Sequence, residues 1–102
     1  MKSENLLEEL EKAHGAPPEN LSPALQVLWL AKAGDWEGAH NIAQDMPDPQ
    51  GAWLHAHLHR QEGDLGNASY WYHRANQPVP SREISIEAEW LDLAAHFTRH
   101  SR

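Results

Sequence analysis

Residues 34–39 read Gly-Asp-Trp-Glu-Gly-Ala, and residues 63–68, 29 positions later, read Gly-Asp-Leu-Gly-Asn-Ala. Each Gly-Asp pair follows one stretch of helical periodicity and precedes another, with apolar residues spaced three and four apart. Glycine readily ends a helix, and aspartate readily caps the start of the next one. Helical hairpins that recur at a fixed period are typical of solenoid-type repeats, so these stretches predict an all-α fold with two stacked antiparallel hairpins.

The same start and stop signals divide the rest of the chain into about six short helices within a single domain. We expect an N-terminal helix at 1–15, a first hairpin at 21–46, a second hairpin at 48–76 and a C-terminal capping helix at 81–99.

Serine or aspartate followed by proline marks the start of each hairpin, because proline is well tolerated at the first helical position. On this basis Ser22 caps the first hairpin and Asp48 the second, while Ser81 caps the last helix. That last helix is expected to bury an apolar stripe made of Ile84, Ala88, Leu91, Ala95 and Phe97.

The composition excludes several classes of function. The chain of 102 residues has 8 basic and 15 acidic residues, a net charge of −7, and no basic block, so nucleic acid and anionic membranes are not expected partners. Without cysteine, neither disulfides nor thiolate chemistry is available. The longest apolar run, residues 27–31, is too short to span a bilayer, and the acidic N-terminus is unlike a signal peptide. We expect a cytoplasmic protein without a cofactor.

Residues 21–76 resemble tetratricopeptide repeats. The family's turn places an alanine a few residues after Gly-Asp, as Ala39 and Ala68 stand here, and Ala56 matches the small residue where the two helices cross. The second copy also resembles a Sel1-like repeat, in the stretch Ala-Ser-Tyr-Trp-Tyr-His-Arg-Ala at 68–75. Residues 57–72 also look similar to small bacterial TPR-like proteins of unassigned role.

The resemblance implies protein or peptide binding in a concave groove lined by the first helix of each hairpin. In the second hairpin the groove residues would be Gln50, Trp53, His57, Arg60 and Gln61, and in the first Leu21, Ala24, Leu28, Ala31 and Lys32. Tryptophan and arginine are typical of interface hot spots. The alternative is that Trp53 packs on the C-terminal helix and Arg60 pairs with a nearby acid, so that this helix fills the groove.

Three histidines alternate along the first helix of the second hairpin. His55 and His59 are four residues apart, so both imidazoles share one helical face as a workable pair of zinc ligands, while His57 points to another side. A third ligand would come from His40, His73 or an acid. The alternative is that these imidazoles lie between the helices and bond to carbonyls or tyrosine hydroxyls.

The leading functional prediction is a non-catalytic protein- or peptide-binding module, either a monomer or a homodimer. The alternative prediction is a small-molecule or metal-binding protein, or an enzyme, that uses His55, His59, Tyr72 and His73. No nucleophile elbow, phosphate loop or dinucleotide fingerprint is present in the sequence.

Overall fold

The computed structural model describes residues 3–100, with side chains described for residues 7–99. Within this part the chain forms six α-helices and no strand, which confirms the all-α prediction: α1 Ser3–Glu11, α2 Pro23–Ala33, α3 Trp36–Asp45, α4 Gln50–Gln61, α5 Leu65–Arg74 and α6 Ile86–His100. None of these helices is both long and apolar enough to cross a lipid bilayer.

The Gly-Asp pairs end one helix and start the next, as predicted. The carboxylates of Asp35 and Asp64 each accept a hydrogen bond from the backbone N–H three residues on, at 3.0 and 3.3 Å. Gly34 and Gly63 lie in the left-handed region at φ 93° and 91°, which a residue with a Cβ rarely adopts. The two turns therefore join α2 to α3 and α4 to α5 by the same local chemistry.

Two helix starts differ from the prediction. Asp48 does not cap α4, because its carboxylate pairs with Arg74 of α5 and no side chain caps that end of α4. The last helix begins at Ile86, since residues 81–84 close a backbone turn and the hydroxyl of Ser85 caps the helix by accepting the N–H of Ala88 at 2.9 Å.

The buried face of α6 also differs from the predicted stripe. Ile84 and Leu91 are 40% and 36% exposed, whereas Phe97 is buried as predicted, and the helix also buries Trp90, Leu93 and Ala94. These four buried residues join the main core with residues of α1, α2, α3 and α4. The indole N–H of Trp90 donates to the carbonyl of Leu28 at 3.0 Å, which fixes α6 against α2.

A smaller core forms where α4 crosses α5. Ala56 and Ala68 are at most 2% exposed and pack with Tyr72, so the two helices approach through alanine methyl groups. A larger side chain at this crossing would push the helices apart or distort its neighbours.

We predict that Ala68→Leu lowers the free energy of unfolding by roughly 1–3 kcal/mol through overpacking. The matched control is Ser69→Leu, which places the same side chain one position away at an exposed site and should change stability by less than about 0.5 kcal/mol. Urea denaturation of both variants measures the difference, and equal stability would contradict the close crossing.

Candidate functional sites

The face of α4 predicted to form a groove lies against α6. The ring of Trp53 packs on those of His96 and Phe97, with centroids 5.0 and 5.8 Å apart. Gln61 donates its amide N–H to the carbonyl of Ala31 at 3.3 Å, and Gln50 is exposed at the start of the helix.

The predicted groove residues of α2 are covered as well. Ala24, Leu28 and Ala31 are buried in the core, and the ammonium of Lys32 lies 4.8 Å from the ring centroid of Trp90. The C-terminal helix therefore packs across the predicted groove, as in the alternative stated from the sequence. A cavity of about 400 Å³ remains between the start of α6 and Ala31, Lys32, His57 and Gln61. Peptide binding along the whole face would require α6 to leave.

Glu89 of α6 is the polar centre of this packing. It is only 6% exposed, and its Oε1 accepts hydrogen bonds from His57 Nδ1 at 2.7 Å and from Arg60 Nη1 at 3.2 Å. The hydroxyl of Tyr72 donates to its other oxygen. Arg60 also donates to backbone carbonyls just before α6, those of Ile84 and Ser85. One carboxylate thus joins α4, α5 and α6.

The network favours an ionised Glu89. Burial alone would raise the pKa of its carboxyl group, but the hydrogen bonds from His57 and Tyr72 outweigh burial and lower that pKa. Burial and the bond to Glu89 raise the pKa of the Tyr72 hydroxyl, so it remains a donor. His57 Nε2 is buried and makes no hydrogen bond within the described part of the chain, so His57 is held through Nδ1.

A second polar cluster lies on the opposite side of α4, where it faces α3. His40, His55 and His59 bring a ring nitrogen each to within 4.8 Å of one another. The Nε2 atoms of His40 and His55 are 2.8 Å apart, and the ring centroids of the three imidazoles are separated by 4.5 to 5.4 Å. We name these three residues the histidine cluster.

Two tryptophans fix the rings of the histidine cluster. Trp36 stacks on His40 with centroids 4.8 Å apart, and its indole N–H is anchored on the carbonyl of Leu58 at 2.7 Å. Trp71 of α5 stacks on His55 at 3.9 Å with an interplanar angle of 10°. Stacking on these two indoles restricts the rotamers of both imidazoles.

Glu62 determines which nitrogen of His59 is available. Its carboxylate lies 2.8 Å from His59 Nδ1, so Nε2 is the ring nitrogen left for another partner. Burial lowers the pKa of His55 to about 4, with His40 and His59 as further causes, and burial and His59 lower the pKa of His40. At neutral pH the imidazoles of His40 and His55 are therefore uncharged and each has a lone pair.

The residues predicted for the alternative function separate into different places. His55 and His59 share one face as the spacing indicated, and His40 supplies the third imidazole. His73 is exposed and outside the cluster, while Tyr72 faces Glu89 on the other side of α4. These four predicted residues therefore do not form one pocket.

Sequence reasoning missed both acids. Glu89 stands beside Trp90 and four residues before Leu93, a spacing that places it on the apolar face of α6 once that face is correctly chosen. The sequence indicated Glu62 more weakly. It lies three positions after His59, and side chains with that spacing are neighbours on a helix.

A third feature is an apolar cleft of about 250 Å³ between α5 and the segment that leads to α6. Leu65 and Val79 line it and are 66% and 56% exposed, and Tyr72 contributes to its wall. Arg82 is exposed at the same cleft. This is the apolar depression that the chain leaves uncovered beside α5.

No protein-family model, curated protein or solved structure matches this chain. The resemblance to tetratricopeptide repeats stays a prediction that rests on the Gly-Asp turns and on the alanines at the helix crossing.

We predict that Glu89→Gln lowers the free energy of unfolding near pH 7 by about 1–3 kcal/mol, because buried donors of His57, Arg60 and Tyr72 lose a charged acceptor. In the unfolded chain the carboxyl has its ordinary pKa of 4.5, and in the folded chain a lower one. The advantage of the wild type is therefore complete above pH 4.5 and declines as the pH falls through the folded pKa.

Urea denaturation at several pH values between 7 and 3.5 measures this difference. The matched control is Glu87→Gln, which removes a carboxylate from the same helix at a position whose side chain is 74% exposed. Its effect should be small. A wild-type advantage over Glu89→Gln that does not change with pH would show that the carboxylate charge plays no part.

Proposed function

We propose that the chain is a protein-binding module that takes a short peptide segment of its partner in the apolar cleft beside α5. The observation that supports this most directly is the exposure of Leu65 and Val79 on the two sides of that cleft. Large apolar side chains in such a position are typical of surfaces that a partner covers.

The distribution of exposed apolar residues supports the same location. Of the six large apolar side chains most exposed in the described part of the chain, five lie between residues 65 and 86. The resemblance to tetratricopeptide repeats is also compatible with peptide binding, although the residues first expected to line the groove pack against α6. The proposal therefore keeps the predicted function and moves the binding surface.

The chemistry of the cleft indicates its ligand. Leu65, Ala68 and Val79 offer an apolar depression the size of one or two side chains, and Arg82 offers a positive charge at its edge. A peptide with a leucine-, methionine- or phenylalanine-type anchor followed by an acidic residue fits this combination, because the anchor is desolvated and the acid pairs at the rim.

We predict that the full chain, immobilised through its N-terminus, enriches peptides with an apolar anchor and a nearby acid from a random phage-displayed library. The double variant Leu65→Ser/Val79→Ser should bind the selected peptides at least about 10-fold more weakly, since the two exposed apolar side chains that line the cleft are removed. Fluorescence anisotropy with synthetic copies of the peptides gives the dissociation constants.

Leu91→Ser is the matched control, because it removes an exposed leucine on α6 that does not line the cleft. It should leave peptide affinity unchanged. A library that enriches no sequence above background, or peptides that bind the double variant as tightly as the wild type, would contradict this function.

A further inference from the structure

We propose that His40, His55 and His59 bind one divalent transition-metal ion, zinc by the chemistry of its ligands. This site is on α3 and α4, is not part of the apolar cleft and does not depend on peptide binding. Three imidazoles whose ring nitrogens lie within 4.8 Å of one another form the same donor set that proteins use for zinc.

The distances between the ring nitrogens are close to those between the ligand nitrogens of a zinc site. Two nitrogens bound to one tetrahedral zinc at about 2.0–2.1 Å lie about 3.3 Å apart. The Nε2 atoms of His40 and His55 are 2.8 Å apart, and the nitrogen of His59 lies within 4.8 Å of both. Coordination would separate the first pair by about 0.5 Å and shorten the distances to His59 by at most about 1.5 Å, changes within reach of side-chain rotation.

The contact between His40 and His55 can exchange its proton for a metal. Between two neutral imidazoles that meet Nε2 to Nε2, one ring donates its N–H and the other accepts with its lone pair. When the donor ring carries its proton on Nδ1 instead, both Nε2 atoms offer a lone pair. A metal ion between the rings can then bind both of them.

Glu62 supplies the second-shell partner that is usual for a zinc-bound histidine. A carboxylate that accepts the N–H of one ring nitrogen fixes the tautomer and makes the other nitrogen a better ligand. Glu62 lies 2.8 Å from His59 Nδ1, which leaves Nε2 as the ring nitrogen for a metal. The tryptophans that stack on His40 and His55 orient the other two rings.

A second group of potential metal ligands is less suited to bind zinc. His59, Glu62 and Asp64 also bring donor atoms to within 4.8 Å, but both acids are exposed and the Asp64 carboxylate caps α5. The all-imidazole set has two buried members, and the partly exposed His40 leaves a route of entry from solvent. Nitrogen donors also exclude magnesium and calcium, which take oxygen ligands.

The test is isothermal titration of the untagged, metal-free full chain with Zn²⁺ at pH 7.5, because a polyhistidine tag would itself bind metal. We expect one Zn²⁺ per chain and no heat from Mg²⁺ under the same conditions. Addition of Co²⁺ in place of Zn²⁺ should give the visible ligand-field bands of tetrahedral nitrogen coordination.

The single variants His40→Gln, His55→Gln and His59→Gln should each weaken Zn²⁺ binding by more than about 100-fold, beyond the range usual for loss of an outer-shell partner. Glu62→Gln should weaken it by about 10- to 100-fold. The matched control is His73→Gln, which removes an exposed imidazole outside the cluster and should leave the affinity unchanged.

Thermal melting of each metal-free variant separates loss of a ligand from loss of the fold. A variant that melts like the metal-free wild type and still loses Zn²⁺ supports the site. Three results would overturn it: no Zn²⁺ binding by the wild type, the same affinity in the cluster variants as in the wild type, or an equal loss in His73→Gln.

Discussion

The buried carboxylate of Glu89 is the interaction on which the arrangement of the second hairpin and α6 depends. A carboxylate that is 6% exposed is tolerable only with several donors, and α4 and α5 supply three of them from His57, Arg60 and Tyr72. Because these donors come from two helices, Glu89 fixes the position of α6 relative to both. The apolar contacts of Trp90 and Phe97 then complete a face that would otherwise be an open groove.

The same interaction determines how α4 is rotated. Residues two positions apart on a helix project to nearly opposite sides, so a helix that directs His57 towards α6 directs His55 and His59 away from it. On that other side α3 contributes His40, and α5 contributes Trp71 against His55. One alternating run of histidines thus supplies a structural contact on one face and a metal-type cluster on the other. A structural role for His57 and a ligand role for its neighbours are therefore compatible.

The local part of this architecture could be predicted from the sequence, because it depends on residues close together in the chain. The Gly-Asp turns, their aspartate caps and the shared face of His55 and His59 follow from spacing alone. The buried face of α6 could not be predicted in the same way. It contains a carboxylate, and a charged residue counts as exposed until its partners are known.

The composition of the histidine cluster and the occupant of the groove could not be predicted from the sequence either. Spacing indicated a pair of imidazoles and left His40, His73 or an acid as the third member, because the choice depends on how α3 packs against α4. The groove was assigned by the resemblance, which could not decide whether the last helix lies inside it. Both questions concern contacts between residues far apart in the chain. The structure answers them through the bond between His57 and Glu89 and through the contact between His40 and His55.

The most direct test of this account is a crystal structure of the full chain grown with one equivalent of Zn²⁺, with diffraction data on both sides of the zinc absorption edge. The account predicts one strong anomalous peak where His40, His55 and His59 meet, with Glu62 on His59 and α6 held in the groove by Glu89. An anomalous map with no peak among these imidazoles would contradict the zinc site. Electron density that places α6 outside the groove would contradict the buried contacts of Glu89 with α4 and α5, on which the packing of these three helices depends.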